Sequence, residues 1–251
     1  MTSRTFIKLQ RCEGTLGDYL AKLEDSGSSM EALLFVEIMI QILHGVCHCQ
    51  ERKVVHRDLK ESNSTSQLII YSLLALFVYG TCSCHPEHRS KMRWLISDFG
   101  FSAQNLNSDS FVVSYQGRGT PRYRAPELLR SSDPKVCRRS DTWSIGCILF
   151  KLATTNKRFA FQSDHDVTDF DLRPGRAAPK LDVTDNVNLQ QATSCPTTGR
   201  LIPLWEQINH ILERCFTREP EYRATVVELK ERFESIWAVL TQNQPQQIIA
   251  I

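Results

Sequence analysis

The sequence predicts a mainly α-helical fold with a few short strands, and the spacing of its apolar residues carries this prediction. Ser29 to Glu51 is rich in closely spaced Leu, Ile, Val and Met, which indicates a largely buried helix. Ser140 to Leu152 shows a similar pattern and predicts a second buried helix. Leu204 to Phe216 and Thr225 to Leu240 are amphipathic, so we expect two further helices that cover the core.

Signals between and after these helices set the remaining boundaries. Thr225 followed by Glu228 matches the capping box that begins a helix. Residues 154–200 are dominated by Asp, Thr, Asn, Pro and Gly, which predicts a loop-rich surface insertion with a short helix in it. Residues 242–251 are expected to form a frayed polar tail. The sequence therefore predicts one domain over residues 1–241.

Composition limits the classes of protein that need to be considered. The chain has 251 residues, 41% of them hydrophobic, which is enough for one sizeable core. The 30 basic and 28 acidic side chains leave a net charge of +2, so no broad basic surface favours a specific nucleic acid. Cys47 and Cys49 are spaced unlike zinc ligands, and His44 and His48 more often mark a helix face than a metal site. We expect reduced thiols in an intracellular protein of the cytoplasm or the nucleus.

Three short motifs follow one another in an order that fits phosphoryl transfer. His56 to Asn63 reads H-R-D-L-K-E-S-N, Asp98 to Gly100 reads D-F-G, and Ala125 to Glu127 reads A-P-E. Phosphoryl transfer depends on positioned carboxylates and cations more than on covalent chemistry by the protein. Each motif alone is a common loop or turn sequence, but the three in this order are specific.

In this order the motifs resemble the catalytic loop, the metal-binding loop and the activation-segment end of eukaryotic protein kinases. The resemblance implies ATP and Mg²⁺ as cofactors and a protein as substrate. It implies that Asp58 accepts the proton of the substrate hydroxyl. Lys60 would contact the transferred phosphate, which favours the serine/threonine branch of the family. Asn63 and Asp98 would bind Mg²⁺ and, through it, the phosphates of ATP.

Further residues match structural or regulatory positions of the family. Thr120 lies where the substrate-docking loop has a threonine that contacts the catalytic Asp and Lys. Asp141 resembles the residue of the central helix that orders the catalytic-loop backbone. Arg223 is expected to form a buried, structural ion pair with Glu127. The resemblance thus implies structural or regulatory roles for His56, Arg57, Phe99, Gly100, Thr120, Glu127, Asp141 and Arg223.

The polar segment 103–117 is predicted to be a phosphorylation-regulated activation loop. It contains Ser108, Ser110, Ser114 and Tyr115. Arg57, directly before Asp58, is the type of residue that captures a loop phosphate, because a guanidinium forms charge-assisted bonds with phosphate oxygens. An unmodified polar loop is the alternative.

The start of the sequence resembles the hinge between the two lobes of a kinase. Phe6 to Leu16 resembles the last strand of the N-terminal lobe and the hinge. Leu9 would be the gatekeeper, and the backbone of Gln10 and Cys12 would contact adenine. No Gly-x-Gly-x-x-Gly sequence occurs in the chain. We therefore expect a kinase-like C-terminal lobe and hinge with a truncated N-terminal β lobe.

One segment departs from the family pattern. Residues 64–97 separate Asn63 from Asp98, where the family has about a dozen residues. Part of the excess, Leu68 to Tyr79, is apolar, but a membrane span is not expected because Asn63 and Asp98 must bind neighbouring Mg²⁺ ions. The atypical insert at about residues 64–91 has three explanations: an extra helix or hairpin, an interaction patch, or translated non-coding sequence.

Two functions follow from the resemblance. The first is a protein serine/threonine kinase that uses MgATP to phosphorylate Ser or Thr hydroxyls of protein substrates. The second is a pseudokinase or truncated kinase fragment that binds partners without catalysis. The residues Asp58, Lys60, Asn63 and Asp98 favour the first, because a module kept only for binding has no chemical need of all four.

Overall fold

The architecture is mainly α-helical, as the apolar pattern predicts. A computed structural model describes residues 14–61, 75–76, 78–81, 92–104, 110–112, 119–130, 135–194 and 199–242. In these ranges the α-helices are α1 (Leu16–Asp25), α2 (Ala32–Glu51), α3 (Arg138–Ala153), α4 (Asp164–Leu172), α5 (Leu204–Cys215) and α6 (Val226–Gln242). Single turns of 3₁₀-helix occur at Phe99–Phe101, Pro126–Leu128, Val187–Leu189 and Pro220–Tyr222.

The strands are short and pair in small sheets. They are β1 (Gly14–Thr15), β2 (Val54–Val55), β3 (Leu59–Lys60), β4 (Ala75–Leu76), β5 (Val78–Thr81), β6 (Met92–Leu95), β7 (Ala103–Gln104), β8 (Ser110–Val112), β9 (Lys135–Cys137), β10 (Ala192–Ser194) and β11 (Leu201–Pro203). A three-stranded sheet has the order β1–β5–β6, and its two strand pairs are antiparallel. The pairs β2–β7, β8–β9 and β10–β11 are antiparallel, and β3–β4 is parallel.

Two buried helices, α2 and α3, form the centre of the fold. Helix α2 packs on α6, and α3 packs on α5 and against β3 in the loop that carries the first motif. An aromatic cluster anchors α3, because the Trp143 ring lies 5.1 Å from Phe161, 5.9 Å from Phe170 and 5.1 Å from Phe216. Burial of such large aromatic surfaces is a main source of stability.

The predicted helices are present, with shifted ends that the structure explains. Helix α2 begins at Ala32 rather than Ser29, because the carbonyls of Ser29 and Met30 accept hydrogen bonds from the distant side chains of Asn188 and Asn186. Helix α3 begins at Arg138, before the predicted start, since the Ser140 hydroxyl accepts from the backbone N–H of Cys137. Both shifts come from contacts that apolar spacing does not record.

The segment predicted to be loop-rich contributes to the core. Residues 154–194 contain α4 and otherwise little regular structure. They also bury Phe161, Phe170, Leu181 and Leu189 in the same core as α2 and α3. That residues 154–200 are an insertion relative to the family stays a prediction. Most of the insert at about 64–91 lies outside the described residues, and its described part, β4 and β5, leaves the three explanations open.

Helix α2 is also the one helix in the described ranges that is long and apolar enough to cross a membrane. Within its most apolar window, 61% of the residues are buried inside the fold. Buried core helices can have the same length and apolar composition as a membrane span. Because most of this window is buried, we interpret α2 as a core helix.

The capping box at the start of α6 is present and yields a stability prediction. The Thr225 hydroxyl accepts from the N–H of Glu228 at 3.2 Å, and the Glu228 carboxylate accepts from the N–H of Thr225 at 2.6 Å. Replacing Thr225 with Ala removes the hydroxyl, so the free energy of unfolding should fall by about 1 kcal/mol in urea titrations. Thr241→Ala, near the other end of α6, is the control and should have a smaller effect.

The capping box should also depend on pH. Hydrogen bonds from Thr225, above all from its backbone N–H, hold the pKa of Glu228 below its usual value. A carboxylate with a lowered pKa in the folded state stabilises the fold above its unfolded pKa, and this contribution is lost as pH falls through the folded pKa. The stability difference between wild type and Glu228→Ala should therefore shrink in acid below about pH 4. A difference that stays constant from neutral pH into acid would contradict this expectation.

Candidate active site

The first motif is held in place by a buried carboxylate of α3. Asp141 is fully buried, and its two oxygens accept the backbone N–H groups of His56 and Arg57, each at 2.8 Å. Burial raises the pKa of Asp141, while His56 and these two hydrogen bonds oppose the rise. Arg57 has a left-handed φ of 70°. This conformation costs a non-glycine residue energy and persists only where surrounding contacts maintain it. Asp141 therefore sets the backbone that leads directly into Asp58.

A chain of short hydrogen bonds joins the first motif to residues 119–124, which we call the docking loop. The Thr120 hydroxyl donates to Asp58 Oδ1 at 2.7 Å and accepts from Lys60 Nζ at 2.7 Å. Lys60 Nζ also lies 3.6 Å from Asp58 Oδ2. Gly119 has a φ of 90°, and a Cβ there would lie 2.7 Å from the Arg57 carbonyl oxygen. Only glycine allows the docking loop to approach the first motif this closely.

The second motif brings another carboxylate to the same place. Asp98 has a φ of 62°, and its Oδ1 accepts from the N–H of Gly100 at 3.0 Å. Burial is the main reason that the pKa of Asp98 is raised, and the nearby charge of Asp58 adds to it. Next to it, His56 Nε2 lies 3.1 Å from the Ser97 carbonyl oxygen, and the His56 ring lies 4.9 Å from the Phe99 ring. The His56 contacts thus connect the first and second motifs.

The free oxygens of the two carboxylates fit a cation and a hydroxyl. Asp58 Oδ2 and Asp98 Oδ2 are both buried and have no hydrogen-bond partner in the described part of the chain. A buried carboxylate oxygen without a partner is costly, and a hard cation such as Mg²⁺ or a hydroxyl donor would satisfy it. The residues present therefore fit the metal that the family resemblance implies. Asn63, the other expected metal ligand, lies outside the described residues, as do Leu9, Gln10 and Cys12.

A buried charge cluster beneath the site was not predicted from the sequence. Glu61, directly after Lys60, is 1% exposed, and the Tyr123 hydroxyl lies 2.7 and 2.5 Å from its two oxygens. Lys151 Nζ of α3 lies 3.4 Å from Glu61 Oε1 and 3.3 Å from the centre of the Phe159 ring. Burial lowers the pKa of Lys151 and raises the pKa of Tyr123. A lysine inside an otherwise apolar helix pattern was the signal that could have revealed this cluster.

The docking loop is also fixed from α4. Asp164, the first residue of α4, accepts from the backbone N–H of Arg122 at 3.0 Å and from Arg124 Nη1 at 2.7 Å. Arg124 Nε in turn donates to the Gly119 carbonyl oxygen at 3.0 Å. Asp164 and Arg124 thus hold both ends of the loop, and neither was singled out in the sequence.

The predicted ion pair at the third motif is present. Arg223 donates from Nη1 and Nη2 to the two oxygens of Glu127, at 2.8 and 2.9 Å, and both side chains are buried. The Ser140 hydroxyl donates to Glu127 at 2.8 Å, and Arg223 also donates to the carbonyls of Thr217 and Arg139. This bidentate pair therefore ties the chain just after the docking loop to the start of α3 and to the segment that precedes α6.

The two histidines considered as metal ligands, His44 and His48, each contact another side chain. His44 contacts Glu234 at 3.1 Å, and His48 contacts Arg52 at 2.8 Å. Over the described residues, no group of three or more His, Cys, Asp or Glu side chains is arranged to hold a metal. The described cysteines Cys47, Cys49, Cys137, Cys147 and Cys215 are free thiols.

Ser110 lies in β8, whereas Ser108, Ser114 and Tyr115 fall outside the described residues, so regulation by phosphorylation stays a prediction.

Comparison with known proteins gives an independent view of the chain. The profile of the protein kinase domain matches residues 2–233. The chain is 27% identical over 227 residues to Serine/threonine-protein kinase SSK22 of Saccharomyces cerevisiae, which covers 89% of this chain and 15% of that protein. It is 27% identical over 231 residues to Serine/threonine-protein kinase Nek11 of Mus musculus, which covers 91% of this chain and 29% of that protein.

A third relative, Serine/threonine-protein kinase ATG1a of Arabidopsis thaliana, is 32% identical over 156 residues, 62% of this chain and 21% of that protein. The chain thus spans less than a third of the length of each of these curated relatives. Because the profile match begins at residue 2, it does not confirm a truncated N-terminal lobe, which stays a prediction.

The buried ion pair gives a testable difference from surface pairs. Arg223→Met leaves the carboxylate of Glu127 buried without its cation, so the free energy of unfolding should fall by about 3–5 kcal/mol. Arg173→Met is the control, because Arg173 pairs with Asp169 at 2.8 Å with 72% of its own side chain exposed, and Asp169 also pairs with Arg176. This change should cost about 1 kcal/mol or less. Equal losses for the two variants in urea unfolding would show that the Arg223–Glu127 pair has no special structural role.

Proposed function

We propose that this chain, which belongs to the protein kinase family, transfers the γ-phosphoryl group of ATP to Ser or Thr hydroxyls of protein substrates. The observation that carries the proposal is the Thr120 hydroxyl, which lies 2.7 Å from both Asp58 Oδ1 and Lys60 Nζ. A carboxylate, an ammonium group and a docking-loop hydroxyl in direct contact are suited to orient an acceptor hydroxyl next to a transferred phosphate.

Asp58 is proposed to receive the proton of the acceptor hydroxyl. Its Oδ1 is occupied by Thr120, while its Oδ2 has no hydrogen-bond partner in the described ranges and so is free to accept from a substrate. Lys60 Nζ, 3.6 Å from Oδ2, offers positive charge where the phosphoryl group gains negative charge. These contacts orient the base before the substrate arrives, which is where positioning contributes most to rate.

A nucleotide site is the next part of the proposal. Asp98 and Asn63 would hold Mg²⁺, which supplies charge neutralisation for the phosphates of ATP. The unpartnered, buried Oδ2 of Asp98 supports its part in this set. Leu9 would be the gatekeeper, and the backbone of Gln10 and Cys12 would contact adenine. An intracellular location is part of the same proposal, because ATP-dependent phosphorylation of proteins needs a supply of ATP.

A second candidate function is a partner-binding module without catalysis. The buried, charged network below the docking loop suits either function, since it fixes a surface as well as a catalytic centre. Binding of MgATP and transfer to a Ser/Thr peptide separate the two candidates.

Two substitutions in the purified chain test the proposed kinase function. Asp58→Asn should lower kcat by about 10²–10⁴ with little change in MgATP affinity, because it removes the proton acceptor. Asp98→Asn should also weaken MgATP binding, because it removes a metal ligand. Transfer of labelled phosphate to a Ser/Thr peptide measures the first effect, and isothermal titration calorimetry measures the second.

Asp182→Asn, a change of the same type at an exposed position away from the site, is the control and should leave both properties unchanged. Full transfer activity in Asp58→Asn would contradict the assigned role of Asp58. A wild-type chain that neither binds MgATP nor transfers phosphate would favour the partner-binding module.

A further inference from the structure

Arg122 of the docking loop is placed beside the catalytic residues without an acidic partner. It is two residues after Thr120, which contacts Asp58 and Lys60 directly. Its side chain is partly exposed, and its guanidinium carbon lies 4.4 Å from the centre of the Phe159 ring. In the described part of the chain, no carboxylate forms an ion pair with Arg122. Arg122 therefore lies in the same short loop as the hydroxyl that contacts Asp58 and Lys60.

The backbone of Arg122 is fixed in an unusual conformation. Its φ of 78° is in the left-handed region, which a non-glycine residue adopts at a cost. The N–H of Arg122 donates to Asp164 at 3.0 Å, and its carbonyl accepts from the Cys147 thiol at 3.4 Å. The next residue, Tyr123, is anchored on Glu61. Strain held by buried contacts on both sides often marks a functional side chain, because the surrounding structure has to maintain it.

The acidic side chains around Arg122 are already paired with other cations. Glu61 lies against Lys151 and Asp164 against Arg124. Asp185 pairs with Arg158, the residue directly before Phe159. Lys157, two residues before Phe159, is exposed. Arg122 in the docking loop and Lys157, close in sequence to the Phe159 ring, therefore carry positive charge that no carboxylate pairs with in the described residues.

We infer that Arg122, supported by Phe159 and Lys157, selects substrate segments with an anionic side chain close to the acceptor Ser or Thr. This inference rests on the proposed kinase function and names its substrate class. A guanidinium group held on a ring face keeps its N–H donors available and forms bidentate bonds with a carboxylate or a phosphate. A basic peptide meets like charges at the same place and is disfavoured. Aspartate or glutamate and a phosphorylated residue share this anionic chemistry.

Peptide binding to the purified chain tests the inference without requiring catalysis. Four dye-labelled peptides contain the same central Ser, flanked by Asp and Glu, by phosphoserine, by Asn and Gln, or by Lys and Arg. Fluorescence anisotropy at low ionic strength should give about fivefold tighter binding of the acidic than of the neutral peptide, and weakest binding of the basic peptide. The ratio of the phosphoserine to the acidic peptide tells whether phosphate or carboxylate is preferred.

Substitutions assign the preference to Arg122. Arg122→Gln should abolish the difference between acidic and neutral peptides, and Arg122→Glu should reverse the order of acidic and basic peptides. Lys157→Gln should weaken the preference in part. Arg214→Gln makes the same change in net charge on α5, where Arg214 lies near Glu228, and should leave the preference intact. Arg122→Lys keeps the charge and the fold and should retain a reduced preference, which guards against loss of structure in the other variants.

The outcomes separate this inference from the proposed function. Equal binding of acidic and basic peptides by the wild-type chain, or an unchanged acidic preference in folded Arg122→Gln, would overturn the inference. Phosphate transfer to basic and acidic peptides at equal efficiency would overturn it as well, while the kinase function would stand. An acidic preference that depends on Arg122, without any phosphate transfer, would support the inferred surface and refute the catalytic proposal.

Discussion

The carboxylate of Asp141 is the group on which the geometry of the site depends. It is buried in α3, the helix that the aromatic cluster around Trp143 holds at the centre of the fold. A buried carboxylate is stable only when its oxygens are hydrogen-bonded, and here the partners are the backbone N–H groups of His56 and Arg57. The same two hydrogen bonds satisfy the buried carboxylate and stabilise the strained backbone at Arg57. As a consequence, a buried helix at the centre of the fold determines where Asp58 lies.

A second set of buried contacts makes the catalytic loop and the docking loop one unit. Thr120 joins the two loops at the surface of the site, and the Glu61–Tyr123 contact joins them beneath it. Buried ion pairs such as Glu61–Lys151 add little net stability, because desolvation of the charges offsets their attraction. Their contribution here is positional: a displaced Tyr123 would leave the buried carboxylate of Glu61 without its hydroxyl donor.

The sequence predicts the helical core well, because apolar spacing is a local property. Helices α2, α3, α5 and α6 begin and end within a few residues of the predicted bounds. The partners of Thr120 and Arg223 were foreseen through the family motifs rather than through the residues alone. The Glu61–Lys151 pair was missed, since its members are far apart in sequence and only the fold brings them together. The core side chains of residues 154–194 were missed for a related reason, because sparse aromatic residues in a loop produce no periodic signal.

The account stands on the claim that Asp141 fixes the catalytic-loop backbone, and amide hydrogen exchange of Asp141→Asn tests it most directly. Asparagine retains one oxygen acceptor of the two, so exchange at the His56 or Arg57 amide should become faster by about tenfold or more. Amides in the middle of α5, such as those of Ile208 and Leu212, should keep their wild-type protection in the same sample. Asp171→Asn, a change of the same type in α4, should leave the amides of His56 and Arg57 unaffected. Unchanged protection of both amides in folded Asp141→Asn would show that the loop is held by other contacts and would contradict the account.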